Sequence, residues 1–107
     1  MTLKRLRQTL KALAEDTRLR IVNILKFKEL TVNEMCSILR VNQPTISKHL
    51  VRLRLLGIVI DRRVKNFVYY SLNFDAEQGK IVKFLTSAFE DVNTFGKDKQ
   101  RLKKAKK

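Results

Sequence analysis

The 107-residue sequence predicts a mainly α-helical fold carrying one β-hairpin. Three observations lead there. Apolar residues recur at spacings of three and four from Leu3 to Leu56, the period of amphipathic helices. After Gly57 the pattern gives way to β-branched and aromatic runs at 58–60 and 67–72, with the polar stretch 61–66 between them. From Ile81 the helical spacing returns.

Each element has its own signal. Leu3, Leu6, Leu10 and Leu13 form the stripe of a first helix. Asp16 offers a cap for a second, where Leu19, Ile21, Val22, Ile24 and Leu25 leave little polar surface, as in a central helix. Thr31 followed by Glu34 is a capping box, so a short third helix starts at about Val32 with Val32, Met35, Cys36 and Leu39 on its apolar face. Residues 40–43 form a turn with Asn42 or Gln43 as cap, and Pro44, the only proline, sits in the first turn of a fourth helix. Gly57 ends that helix in a left-handed conformation. In the hairpin, Asn66 is the residue suited to a positive φ. Residues 73–76 open one closing helix with the stripe Ile81, Phe84, Leu85, Ala88, Val92 and Phe95. The order is α-α-α-α-β-β-α over residues 1–96, with 97–107 read as a basic, disordered tail.

Charge points to the partner. Twenty-four Lys and Arg against ten Asp and Glu give +14, an excess that calls for a polyanion. It is concentrated at residues 1–11 (+4), 40–65 (+6) and 97–107 (+6). No apolar run is long enough to span a bilayer, and basic residues interrupt 1–14 where a signal peptide would need its apolar core, so the expectation is a cytoplasmic protein with no membrane partner. One cysteine, Cys36, and one histidine, His49, exclude an internal disulfide and a single-chain Cys/His zinc cage. Neither a metal nor any other cofactor is expected. An enzyme is disfavoured too: a lone histidine, three scattered glycines and no evident pair of acids leave nothing for nucleophilic, phosphate-cradling or general acid–base chemistry. Cys36 sits on an apolar helix face, which reads as core packing, with a modifiable, redox-active thiol as the alternative.

Two short helices joined by a tight turn, the second followed by a basic hairpin, match a winged helix-turn-helix. On the fourth helix Ile46, Leu50 and Leu53 share one side and face the core. Thr45, Lys48 and Arg52 face away, with Gln43 at the helix start and Ser47 on the flank; such groups suit base edges and phosphates. Arg62, Arg63 and Lys65 are expected at the hairpin tip, within reach of the DNA backbone.

The segments LKALAEDTRLRIVNIL, ELTVNEMCSIL, NQPTISKHLVRLRLLGIV and DRRVKNFVYYSL, in order between Leu10 and Leu72, resemble the ArsR/SmtB family of winged-helix repressors. The resemblance implies a homodimer built on the first and last helices, with the fourth helix of each subunit in a major groove of double-stranded DNA. It places DNA contacts on Gln43, Thr45, Ser47, Lys48 and the wing, and implies repression relieved by an inducer, often a metal ion. The sequence departs from the family's sensors in ligand count. Thr31 and Asn33 stand where thiolate sensors carry Cys-x-Cys, and the last helix offers Glu90 and Asp91 without a histidine. The inducer is therefore unidentified. A non-specific architectural protein that coats nucleic acid through charge is the alternative; the Gln, Thr and Ser of the fourth helix speak against it.

Overall fold

The computed structural model describes residues 1–105. The chain runs α1 (Leu3–Leu13), α2 (Asp16–Leu25), α3 (Val32–Leu39), α4 (Gln43–Leu55), β1 (Val59–Val64), β2 (Phe67–Leu72), α5 (Gly79–Ser87) and α6 (Asn93–Ala105). Local chemistry sets most of these boundaries. Thr2 caps α1 and Asn42 caps α4, each side chain accepting the amide three residues on. Thr31 and Glu34 form the reciprocal box that starts α3. The start of α2 differs from expectation: Glu15 is the cap, accepting from the Arg18 amide at 2.8 Å, and Asp16 is already the first helical residue. The helix therefore starts one residue earlier than the aspartate cap implied, with the Arg18 amide satisfied by Glu15.

Gly57 ends the α4 segment at φ 75°, as expected. Gln78 then donates its side-chain amide to the Leu56 carbonyl, tying the lead-in of α5 to the end of α4. Gly79 has a different constraint, since a Cβ there would lie 2.1 Å from the Phe74 carbonyl oxygen. The core gathers Ile21 and Ile24 of α2, Met35 and Leu39 of α3, Ile46, Leu50 and Leu53 of α4, and Ile58, all 2 % exposed or less. Each such side chain contributes about 1.5–3 kcal/mol relative to an exposed position. The hairpin pairs Val59 with Leu72 through to Val64 with Phe67. Leu30 adds a bridge to Tyr70, which fastens the α2–α3 connection to the wing.

Further along the chain the structure again corrects the sequence reading. The hairpin register leaves Lys65 and Asn66 as the turn, and Lys65, not Asn66, takes the positive φ of 56°. The single closing helix is two, broken across residues 88–92. Phe89 and Phe95 explain the break: six positions apart, they would point in different directions on one helix, whereas the bend buries both with ring centroids 4.7 Å apart. Residues 97–105 are helical, within α6, rather than a disordered tail; Lys106 and Lys107 lie outside the described residues. The helix holds because Phe95, Asp98 and Leu102 form a buried stripe among the lysines.

Asp98 is completely buried. Its carboxylate accepts from Arg20 Nε and Nη2, both at 2.9 Å, and from Arg101 Nη2 at 2.6 Å. The same arginines donate to the last carbonyls of α3, Arg20 to Leu39 at 2.8 Å and Arg101 to Ile38 at 2.5 Å. These groups are the orphan acceptors of a helix C-terminus, so α6 and α2 together finish α3 and hold its end in place.

Candidate nucleic-acid interface

The fourth helix presents two chemically distinct faces. Ile46, Leu50 and Leu53 are buried against the core, which fixes the rotation of α4. Gln43, Pro44, Lys48 and Arg52 are exposed, and Thr45 and Ser47 are half-buried. Among the described residues, the Gln43, Thr45, Ser47, Lys48 and Arg52 side chains make no hydrogen bond or ion pair, so their donors and acceptors are available. The turn into α4 depends on Arg40, which takes the left-handed conformation at φ 58° as the C-cap of α3. A non-glycine residue there is held at some cost, and the α3 end clamped by Arg20 and Arg101 holds it.

The wing is less free than the sequence suggested. Arg63 and Lys65 are exposed. Arg62 is not at the tip: it lies opposite Tyr69, three residues before the turn, bonded by Nε and Nη2 to the carboxylate of Glu29 and packed 5.5 Å from the Tyr69 ring centroid. Glu29 is held below its ordinary value, first by the hydrogen bond from Arg62 and then by that charge. The pair ties the wing to the α2–α3 connection, and the guanidinium keeps further donors for an outside anion.

The surface also extends where the sequence gave no role. Arg7 and Lys11 of α1 line a cleft of about 270 Å³ together with Arg52 of α4. Their basic character was visible, but adjacency between residues forty positions apart was not.

His49 of α4 is buried. Its Nδ1 lies 3.1 Å from Arg18 Nη1 and its Nε2 lies 3.9 Å from Glu15 Oε1. Burial pushes the imidazole below its ordinary value; Glu15 opposes the shift, and Arg18 and Lys48 add to it. The folded chain therefore binds this proton less readily than the unfolded chain, so the contribution to stability is complete above about pH 6.5 and declines as the pH falls below it. Replacing His49 with glutamine is expected to flatten the fall in urea midpoint between about pH 7 and pH 5; an unchanged slope in the variant contradicts this assignment.

Cys36 is half-buried on α3, and burial pushes its thiol up, which disfavours the reactive thiolate.

Comparison with known proteins agrees with this geometry. Residues 15–61 match the model of the bacterial regulatory protein arsR family. The transcriptional repressor PagR of Bacillus anthracis is 40% identical over 80 residues, covering 73% of this chain and 78% of PagR. The chain belongs to the arsR family. The PagR crystal structure superposes with a TM-score of 0.65 over 78% of this chain and 94% of that one, at 34% identity. The arsenic resistance transcriptional regulator ArsR1 of Pseudomonas putida is 44% identical over 69 residues, 64% of this chain, although the match spans only 54% of that relative's length. The homodimeric winged helix-turn-helix DNA-binding domain Mb0332 from Mycobacterium bovis gives a TM-score of 0.71 at 26% identity, over 83% of this chain and 82% of that one. The winged helix-turn-helix architecture expected from the sequence is thus the family's fold, with α3 and α4 as the paired helices and β1–β2 as the wing. These relatives are transcription regulators rather than enzymes.

Proposed function

We propose that this chain is a sequence-specific, dimeric DNA-binding repressor acting on an inverted-repeat site in double-stranded DNA. One observation carries the reading: α4 is locked to the core by Ile46, Leu50 and Leu53 while Gln43, Thr45, Ser47, Lys48 and Arg52 stand outward with unspent hydrogen-bonding groups. In this reading Gln43, Thr45 and Ser47 read base edges in the major groove. Lys48, Arg52, Arg63 and Lys65 grip phosphates, and Arg62 does so from its seat on Glu29. Arg7 and Lys11 extend the phosphate surface beside Arg52.

The dimer reading rests on the outer helices. Leu3 and Leu10 of α1 and Phe84 of α5 are exposed, with Phe84 at 72 %, and a second copy would cover them. A dimer spaces two α4 helices about one helical turn apart and represses by occluding the promoter. Cys36 is assigned to packing, not redox sensing, on its half-burial and raised thiol. Thr31 and Asn33 supply no thiolate at the start of α3, and on that ligand count the chain is read as a regulator that does not sense a soft metal. No described helix is long and apolar enough to cross a membrane.

The test is selection of a preferred duplex from random DNA, followed by competition against bulk DNA at physiological salt. The expected ratio is about 10³ or more, and Phe84→Glu is expected to lower both dimer formation and the affinity for the two-half-site duplex. A ratio near one supports the charge-only architectural alternative instead.

A further inference from the structure

Several of the lysines that the sequence placed in a tail or at the end of α2 gather around one aromatic ring. Phe27, just beyond α2, is 41 % exposed, and the ammonium groups of Lys26 and Lys99 each lie 5.0 Å from its centroid. A cavity of about 220 Å³ opens there, lined by Phe27, Lys28, Lys99, Leu102 and Lys103. A smaller one of about 70 Å³ shares Phe27 and Lys99 and reaches Asn23, Phe89 and Glu90. Asn23 is 2 % exposed, and among the described residues its amide Nδ2 has no hydrogen-bond partner.

We propose that these adjoining cavities bind a small organic carboxylate built on a single apolar ring. The larger cavity has an apolar floor, Phe27 and Leu102, and three lysines with no acid among its lining residues. A carboxylate there pairs with cations that otherwise repel one another, while the ring covers the exposed face of Phe27 beside the buried Leu102. Inorganic phosphate would satisfy the ammonium groups but leave that floor wet. The volume falls below the roughly 300–1,000 Å³ of drug-sized pockets, which limits the ligand to about one ring. Asn23, which lines the smaller cavity, carries a buried amide donor with no partner among the described residues. Burial pushes the Lys26 ammonium below its ordinary value; Glu90 opposes the shift and Lys99 adds to it, and an anion seated beside Lys99 favours the charged form.

The position suits an effector. Lys26 Nζ donates to the Thr86 carbonyl of α5 at 2.9 Å, and Lys99 follows Asp98, whose carboxylate holds the two arginines that finish α3. A ligand beside Phe27 thus lies on α6, the helix that fixes the helix-turn-helix, and next to Lys26, which is bonded to the end of α5. This regulatory role rests on the DNA-binding reading; the binding site does not, so binding is measured without DNA.

The probes are benzoate, salicylate and phenylacetate, titrated calorimetrically into the full chain. Salicylate fluorescence is a second readout because the chain has no tryptophan. At least one of the three is expected to bind saturably, one per chain. For salicylate, the neutral analogue salicylamide should bind about ten-fold or more weakly, as should salicylate itself to Phe27→Ala and to the double variant Lys99→Gln/Lys103→Gln with unchanged urea midpoints. Saturable binding in a protein with no duplex preference supports the site and removes only its link to DNA. The proposal is overturned if none of the three carboxylates binds saturably, or if the variants bind like the parent. It is equally overturned if Lys99→Gln/Lys103→Gln leaves carboxylate binding unchanged and instead lowers the salt dependence of DNA binding, which assigns these lysines to phosphate contacts.

Discussion

Asp98→Ala is expected to cost about 3 kcal/mol of unfolding free energy, the largest loss from any single polar substitution in the chain. The carboxylate has no exposed surface and accepts three hydrogen bonds from two arginines. Removing it leaves two guanidinium groups facing each other without their counter-ion. The range for breaking a buried ion pair is about 3–5 kcal/mol, and the lower end applies because the Arg20 and Arg101 side chains retain 20 % and 25 % exposure and recover some hydration. The loss extends beyond one contact. Arg20 and Arg101 also satisfy the Leu39 and Ile38 carbonyls, so α3 loses the fixed donors at its end and the Arg40 turn into α4 loosens. Urea unfolding should show a clearly lowered midpoint, and DNA affinity should fall with it. A loss below about 1 kcal/mol, the size of an exposed ion pair, would mean that α6 does not clamp the fold in solution.

That clamp is also the part of the fold least legible in the sequence. The first four helices and the hairpin were readable because their signals are local: the Thr31–Glu34 box, the Gly57 stop, the three-and-four spacing of Ile46, Leu50 and Leu53, and the β-branched runs after Gly57. α6 carries its core position as an aspartate amid lysines, and the partner that makes an acid tolerable there, Arg20, lies 78 residues away. No apolar periodicity can report such a pairing. The break before α6 contains neither proline nor glycine, and follows from the packing of Phe89 on Phe95. The candidate interface divides in the same way. The outward face of α4 followed from helical geometry alone, whereas the capture of Arg62 by Glu29 and the adjacency of Arg7 and Lys11 to Arg52 arise only from folding.

The second large effect concerns recognition. Gln43→Ala and Ser47→Ala are each expected to weaken binding to the selected duplex by about 1–3 kcal/mol per lost base contact, with little change on random DNA. Gln43 is exposed at the first turn of α4 and Ser47 lies one turn on, so both lie at the end of the helix that the proposed reading places in the groove. Their side chains are uncharged, and removing them leaves the phosphate contacts and the salt dependence in place. Arg63→Ala should behave in the opposite way: an exposed cation on β1 contributes equally to all sequences, and its removal should lower the salt slope by about one.

The measurement that tests the central claim most directly is therefore a parallel titration of the parent, Gln43→Ala, Ser47→Ala and Arg63→Ala against the selected duplex and a random duplex at two salt concentrations. If α4 reads bases, the first two variants lose selectivity and the third loses affinity for both duplexes alike. Equal losses on the two duplexes for all three variants would contradict it.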